Sequence, residues 1–232
     1  MWKNLIQIAG VKSLEEAETL IANGVEFIGF PLRLTVNAED TTEEEAREII
    51  KQIKSSSKPV LITYLSNHKE IIDFCEFLNV EIVQLHGEIS RVELAKLKEA
   101  KQELKVIKSL VVRQNNAREL LKTLKELEPF TDAFITDTFD METKAEGATG
   151  KTHDWNVSAE LVRLSAKPVI LAGGLTPENV AEAIRKVKPA GVDSHTGVED
   201  EDGNKNPEKV KAFVNAAKKA FAELNSPSET AS

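Results

Sequence analysis

Short apolar runs alternate with longer amphipathic ones from one end of the chain to the other. The apolar runs cover residues 5–9, 27–30, 59–64, 82–85, 106–110, 133–136, 168–171 and 191–193. Each is nearly all apolar, the pattern of strands in a parallel sheet covered on both faces. The stretches between them carry helix signals. Ser13 and Glu16 form a capping box for "SLEEAETLIANG", which closes at Gly24, and Thr42 with Glu45 opens the second helix in the same way. Thr176-Pro177 places an N-cap before a proline at the first helical position of "PENVAEAIRKV", and Asn206-Pro207 does so for the last helix.

Strand and helix units recur roughly every 25–30 residues, and eight of them point to a single-domain (β/α)₈ barrel. A doubly wound sheet is the competitor, but it usually has five or six strands and a glycine-rich first turn. Here that turn reads "AGVKS", and no Pro/Gly/Ser-rich linker divides the chain. We therefore expect one barrel domain over residues 1–224 and a disordered polar tail, "NSPSETAS", over 225–232.

Composition narrows the partners. The 232 residues are 41% hydrophobic and 29% charged, with a formal net charge of −8. That acidity argues against nucleic acid or anionic membranes as partners, since both call for clustered positive charge. It leaves room for a small anionic ligand in a local site. The single cysteine, Cys75, sits at helical spacing with apolar neighbours and reads as helix packing. No signal peptide or membrane span is legible, so a cytoplasmic protein is expected, as a monomer or homodimer.

In such barrels the chemistry lies where the strands end. Two of those ends carry a phosphate signature. "LAGGLTPENV" follows the seventh run with Gly173-Gly174, and "DSHTGVED" follows the eighth with Asp193, Thr196 and Gly197. Loops seven and eight form the usual phosphate cradle of the fold, through backbone N–H groups. Gly173-Gly174 alone would serve equally as a tight turn into a helix; its pairing with Thr196-Gly197 favours the anion. The loop "GATGKTHDW" ends like a P-loop, but position 145 is alanine and an acidic stretch separates it from its strand.

"GVEFIGF", "VQLHGE", "GATGKTHDW", "LAGGLTPENVAEAIRKVKPAGVD" and "GVED…NPEKVKAFVNA" together resemble the phosphoribosylanthranilate isomerase family of tryptophan biosynthesis. The resemblance runs from the first strand to the last helix. It implies an Amadori rearrangement of an aminoaldose phosphate into an aminoketose, with no cofactor and no metal, on a small phosphorylated sugar. It makes residues 147–155, including Gly150, the sixth loop that closes over substrate, and we expect that loop to be mobile.

The family's acid is an aspartate ending strand six, the place of Asp137 in "FITDTFD", and its apolar neighbours are expected to raise its pKa. Asp140 is the competing, more outlying carboxylate. The family's base is a cysteine in a Lys-x-Cys-Gly motif ending strand one. Here that stretch reads Gln7-Ile8-Ala9-Gly10, so both the cysteine and the lysine are replaced. The family's carboxylate-binding arginine follows strand two. Here the aligned region holds Glu39 and Asp40, and Arg33, several positions earlier, is the nearest candidate for that contact. Three histidines fall near the mouth. His86 agrees with the family pattern as a substrate-binding residue, while His153 and His195 stand where the family has phenylalanine and a small residue. Strand eight closes the barrel beside strand one, so His195 can lean over Ala9 and act as the base. A loop histidine that only touches phosphate is the other reading. The class alternatives are an enzyme of another phosphosugar and a phosphosugar-binding protein without catalysis.

Overall fold

The structure is a computed structural model that describes residues 1–35, 39–53, 56–138 and 153–226. Eight parallel strands close into one barrel in sequence order. They are β1 (Leu5–Ala9), β2 (Phe27–Pro31), β3 (Lys58–Thr63), β4 (Ile82–Leu85), β5 (Lys105–Val112), β6 (Ala133–Thr138), β7 (Val169–Leu171) and β8 (Gly191–Ser194). The helices around them are α1 (Leu14–Ala22), α2 (Glu43–Ile50), α3 (His68–Leu78), α4 (Arg91–Ala100), α5 (Ala117–Leu127), α6 (Trp155–Leu164), α7 (Val180–Val187) and α8 (Pro207–Asn225). Every expected strand is present, with ends shifted by a residue or two.

Alternation along each strand divides the core in two. Outward residues such as Ile6, Ile8, Ile28 and Phe30 pack beneath the helices. Inward residues, among them Leu5, Phe27, Val60, Ile107, Ile135 and Ile170, fill the barrel itself. This is the packed interior that the period-two pattern of strands requires. Each helix presents one apolar stripe to the sheet, as α7 does with Val180, Ala183, Ile184 and Val187 at helical spacing. Cys75 is buried in α3 and free, and burial pushes its thiol pKa up to about 12. It packs and does not react, as the sequence suggests.

The caps refine the local reading. Thr42 and Glu45 form the full capping box, and Asn206 caps α8 ahead of Pro207. Ser13 accepts from the Glu16 amide, but the reciprocal half of its box is missing. The Glu16 carboxylate is used elsewhere: one oxygen accepts the Lys12 amide at 2.7 Å and the other the Lys205 amide at 2.8 Å. The α7 start also differs from expectation. Thr176 and Pro177 lie in a turn, and the helix begins at Val180. The cause is Asn179, whose side chain accepts the Thr176 amide and donates to the Gly174 carbonyl, a local bonding pattern that competes with helix.

Closure depends on β1 meeting β8, with Gln7 opposite Asp193 and Ile8 opposite Ser194. Close approach sets the glycine at position 29, where a Cβ would press on the Ala9 Cβ at 2.9 Å and on Ile62 at 2.7 Å. Among the described residues no helix is long and apolar enough to cross a membrane. Of the expected tail, Asn225 belongs to α8, while 227–232 lie outside the described residues.

Candidate active site

A pocket of about 260 Å³ opens at the C-terminal ends of the strands. Asp137, His195, Gly173, Gly174, Thr196, Gly197, Asp193 and His86 all line it. Eight residues separated by up to 111 positions are thus brought together by the closing of the barrel, since 197 − 86 = 111.

Asp137 ends β6 facing inward. One of its oxygens accepts the amide of Thr138 at 2.7 Å, and the other lies 3.5 Å from His86 Nε2. On its far side, His86 Nδ1 is 2.9 Å from the Ser109 hydroxyl. A serine that donates to Nδ1 leaves Nε2–H aimed at the carboxylate, so β4 and β5 orient the group that β6 presents. Tyr64 flanks the imidazole, its ring centroid 5.1 Å away.

The β7–β8 corner is made from backbone. Gly173 and Gly174 adopt consecutive left-handed conformations, φ 94° and 64°. A side chain at Gly173 would collide with the Thr138 hydroxyl, and one at Gly197 would collide with the Leu175 carbonyl. The Ser194 hydroxyl donates to that same carbonyl at 2.8 Å and holds the two loops together. Thr196 and Gly197 belong to a single 3-10 turn, Thr196–Val198. The geometry suits an anion held by peptide N–H groups.

The β8–β1 corner is made from charged side chains. The His195 ring lies over Gly10, with Nε2 in the space that a Cβ there would take, immediately beside Ala9. Nε2 is 3.4 Å from Asp40 Oδ2 and 3.4 Å from Glu199 Oε1. Lys205, buried, pairs with Glu199 at 2.5 Å and donates to the His195 carbonyl at 3.3 Å. Burial opposes ionisation of Asp40, yet His195, Lys205 and Lys12 together hold its carboxyl below the usual range. Burial likewise lowers the Lys205 pKa against the pull of Glu199. Two carboxylates thus lie on one imidazole nitrogen.

Asp193 sits deeper, opposite Gln7 on β1. Its pKa is pushed up to about 7, chiefly by burial and then by the charge of Asp137.

Arg33 departs from expectation. Its guanidinium makes a two-pronged contact with Glu43, at 2.8 and 3.0 Å, and stacks over Phe74 at 3.7 Å. It lines a separate groove between α2 and α3, outside the pocket. Two of its N–H donors go to Glu43 and its face goes to an aromatic ring, away from the pocket. His153 is also turned inward, bonded to the Thr138 and Ser158 hydroxyls at 2.9 and 2.6 Å, and burial lowers its pKa to about 4. Gly150, Asp140 and most of the loop 147–155 lie outside the described residues. Asp40, Glu199, Lys205 and Lys12 were not legible as site residues, because no local motif joins positions so far apart. Among the described residues no group of His, Cys, Asp and Glu is arranged to hold a metal ion.

Comparison with known proteins shows the family. The family model described as N-(5′-phosphoribosyl)anthranilate isomerase matches residues 6–216. N-(5′-phosphoribosyl)anthranilate isomerase 2 of Methanosarcina mazei is 36% identical over 217 residues, covering 93% of this chain and 95% of that protein. The solved isomerase of Pyrococcus furiosus is 30% identical with a TM-score of 0.75, covering 93% of this chain and 98% of its own. A further solved isomerase is 27% identical with a TM-score of 0.76 over 93% of this chain and 98% of its own; it holds reduced 1-(o-carboxyphenylamino)-1-deoxyribulose 5-phosphate. This chain belongs to the phosphoribosylanthranilate isomerase family.

Proposed function

We propose that the chain rearranges a phosphorylated aminoaldose into the aminoketose, the isomerase step of tryptophan biosynthesis, with His195 replacing the strand-one cysteine as base. The observation that carries this reading is the His195 ring lying over the end of β1, beside Ala9. No ionisable side chain remains on β1 between Leu5 and Ala9.

The steps follow from the groups present. The phosphate is held by the backbone of Gly173-Gly174 and Thr196-Gly197, which fixes the sugar against the strand ends. Asp137, as an acid, gives its proton to the ribose ring oxygen; the bond from that oxygen to C1 breaks, and C1 becomes an imine carbon. His195 takes the proton from C2, and the released pair forms the C1–C2 double bond of an enolamine. Return of a proton to C1, with loss of the hydroxyl proton at C2, gives the ketone. No proton is gained or lost overall. Asp40 and Glu199 stabilise the imidazolium formed at the second step, as a carboxylate beside a catalytic histidine does. The ligand named with the solved relative is a reduced phosphorylated aminoketose, the class proposed here for this pocket.

His195→Ala is expected to lower kcat by about 10²–10⁴-fold while leaving inorganic phosphate affinity nearly intact. Ala9→Cys in that background should restore part of the rate. Full isomerase activity in His195→Ala would dismiss His195 as the base. A wild-type protein inactive on the aminoaldose, with activity gained by Ala9→Cys, would instead mark a barrel turned to another phosphosugar or to binding alone.

A further inference from the structure

Gln7 and Asp193 face each other across the β1–β8 seam inside the barrel. Gln7 is wholly buried, and its amide nitrogen donates to Gln84 Oε1 at 2.9 Å. Its carbonyl oxygen, Oε1, is buried without a hydrogen-bond partner, and so is Asp193 Oδ1. Buried polar atoms without partners are rare and costly, and here two lie on directly opposed residues. An ionised Asp193 cannot serve Gln7 Oε1, because a carboxylate oxygen and an amide carbonyl are both acceptors. One proton on Oδ1 satisfies both atoms together. The side chains are in reach, since the Gln7 amide also hydrogen-bonds the Asp193 carboxyl, a contact that by itself favours the anion.

We propose that Asp193 is a neutral carboxylic acid in the resting protein, donating Oδ1–H to Gln7 Oε1, so that it adds no negative charge to a pocket that takes an anionic ligand.

The charges around Asp193 are consistent with this. Burial and Asp137 on β6 oppose its ionisation, and together they outweigh Gln7, His195 and Lys205, which favour it. His86 on β4 lies against Asp137, and Asp40, Glu199 and Lys12 stand further out around His195. The residue at position 7 then sets the charge of the pocket. Glutamine carries a carbonyl that can accept from a neutral acid; a lysine there carries donors only and would hold Asp193 as the anion. Asp193 is thus a positioning residue for the ligand's charge, with a proton that titrates near the working pH of most enzymes.

The test reads the proton directly. Infrared spectra of the wild-type protein at pH 6 should contain a protonated-carboxyl stretch that is absent from Asp193→Asn and fades as the pH rises through about 7. Gln7→Lys should lose the band already at pH 6. Sulfate, whose charge is constant over this range, should bind the wild type roughly 3- to 10-fold more weakly at pH 9 than at pH 6, with most of that change gone in Gln7→Lys. Identical spectra for wild type and Asp193→Asn at pH 6 would overturn the inference, as would a band that Gln7→Lys leaves in place. If Asp193→Asn does not fold, Gln7→Lys decides alone through both readouts. The spectrum needs no catalysis, so an inactive protein that shows the band would sink His195 as base and leave Asp193 as proposed.

Discussion

The two corners of the pocket that flank β8 are built on opposite rules. Between β7 and β8 the contacts are peptide groups shaped by Gly173, Gly174 and Gly197, and no ionisable side chain is needed. Between β8 and β1 the contacts are Asp40, His195, Glu199 and Lys205, four ionisable groups in mutual reach. Backbone geometry changes only if the fold changes, so the first corner keeps the sequence by which the family is known. A side-chain constellation can be rebuilt one residue at a time. In the proposed mechanism, binding and chemistry fall to different corners.

The largest test crosses the two corners. His195→Ala is expected to cut kcat by about 10²–10⁴-fold with phosphate affinity kept. Gly197→Ala should do the reverse, weakening phosphate while kcat at saturation stays near that of the parent. Steady-state kinetics and phosphate titration of both variants measure this; equal losses of kcat in the two would erase the distinction. Gly197→Ala also forces a methyl against the Leu175 carbonyl, and should lower stability by about 1–3 kcal/mol in urea unfolding.

Glu16→Gln comes next. Its carboxylate accepts two backbone amides, from Lys12 and Lys205, and an amide side chain can serve only one. A loss of about 1–3 kcal/mol is expected, with a loosened charged corner and an unchanged phosphate corner. A urea midpoint equal to that of the parent would show that the seam does not depend on it.

The smallest effect belongs to His153, which lies half-buried beside Gly173. Its pKa is about 4 in the folded chain against an ordinary 6.5, so the unfolded chain takes up the proton first as pH falls. The stability it contributes is complete above pH 6.5 and is lost progressively toward pH 4. His153→Gln should flatten that part of the Tm-against-pH curve; a curve parallel to the parent's would mean the acid lability lies elsewhere.

The barrel was legible because each strand is buried on both faces and so reads as an unbroken apolar run, as Leu5–Ala9 and Ile82–Leu85 do. The glycine corner was legible for a related reason: backbone that needs positive φ writes glycine into the chain. Where the reading went astray, the cause was a partner out of view. Arg33 looked free until Glu43 and Phe74 closed on it. Asp40 and Lys205 carry no local mark, for their meaning comes from His195 and Glu199 across the barrel seam. The raised carboxyl at Asp193 carries no local mark either, because it comes chiefly from burial inside the closed barrel.

The Glu16–Lys205 link spans 189 positions, and it ties the loop after β1 to the loop after β8. In a chain made from its N-terminus, half of this clamp waits for nearly all of the rest. Asp193 and His195 are synthesised after seven strands are already complete. On the proposed mechanism, the site is therefore completed late, by the same event that shuts the barrel.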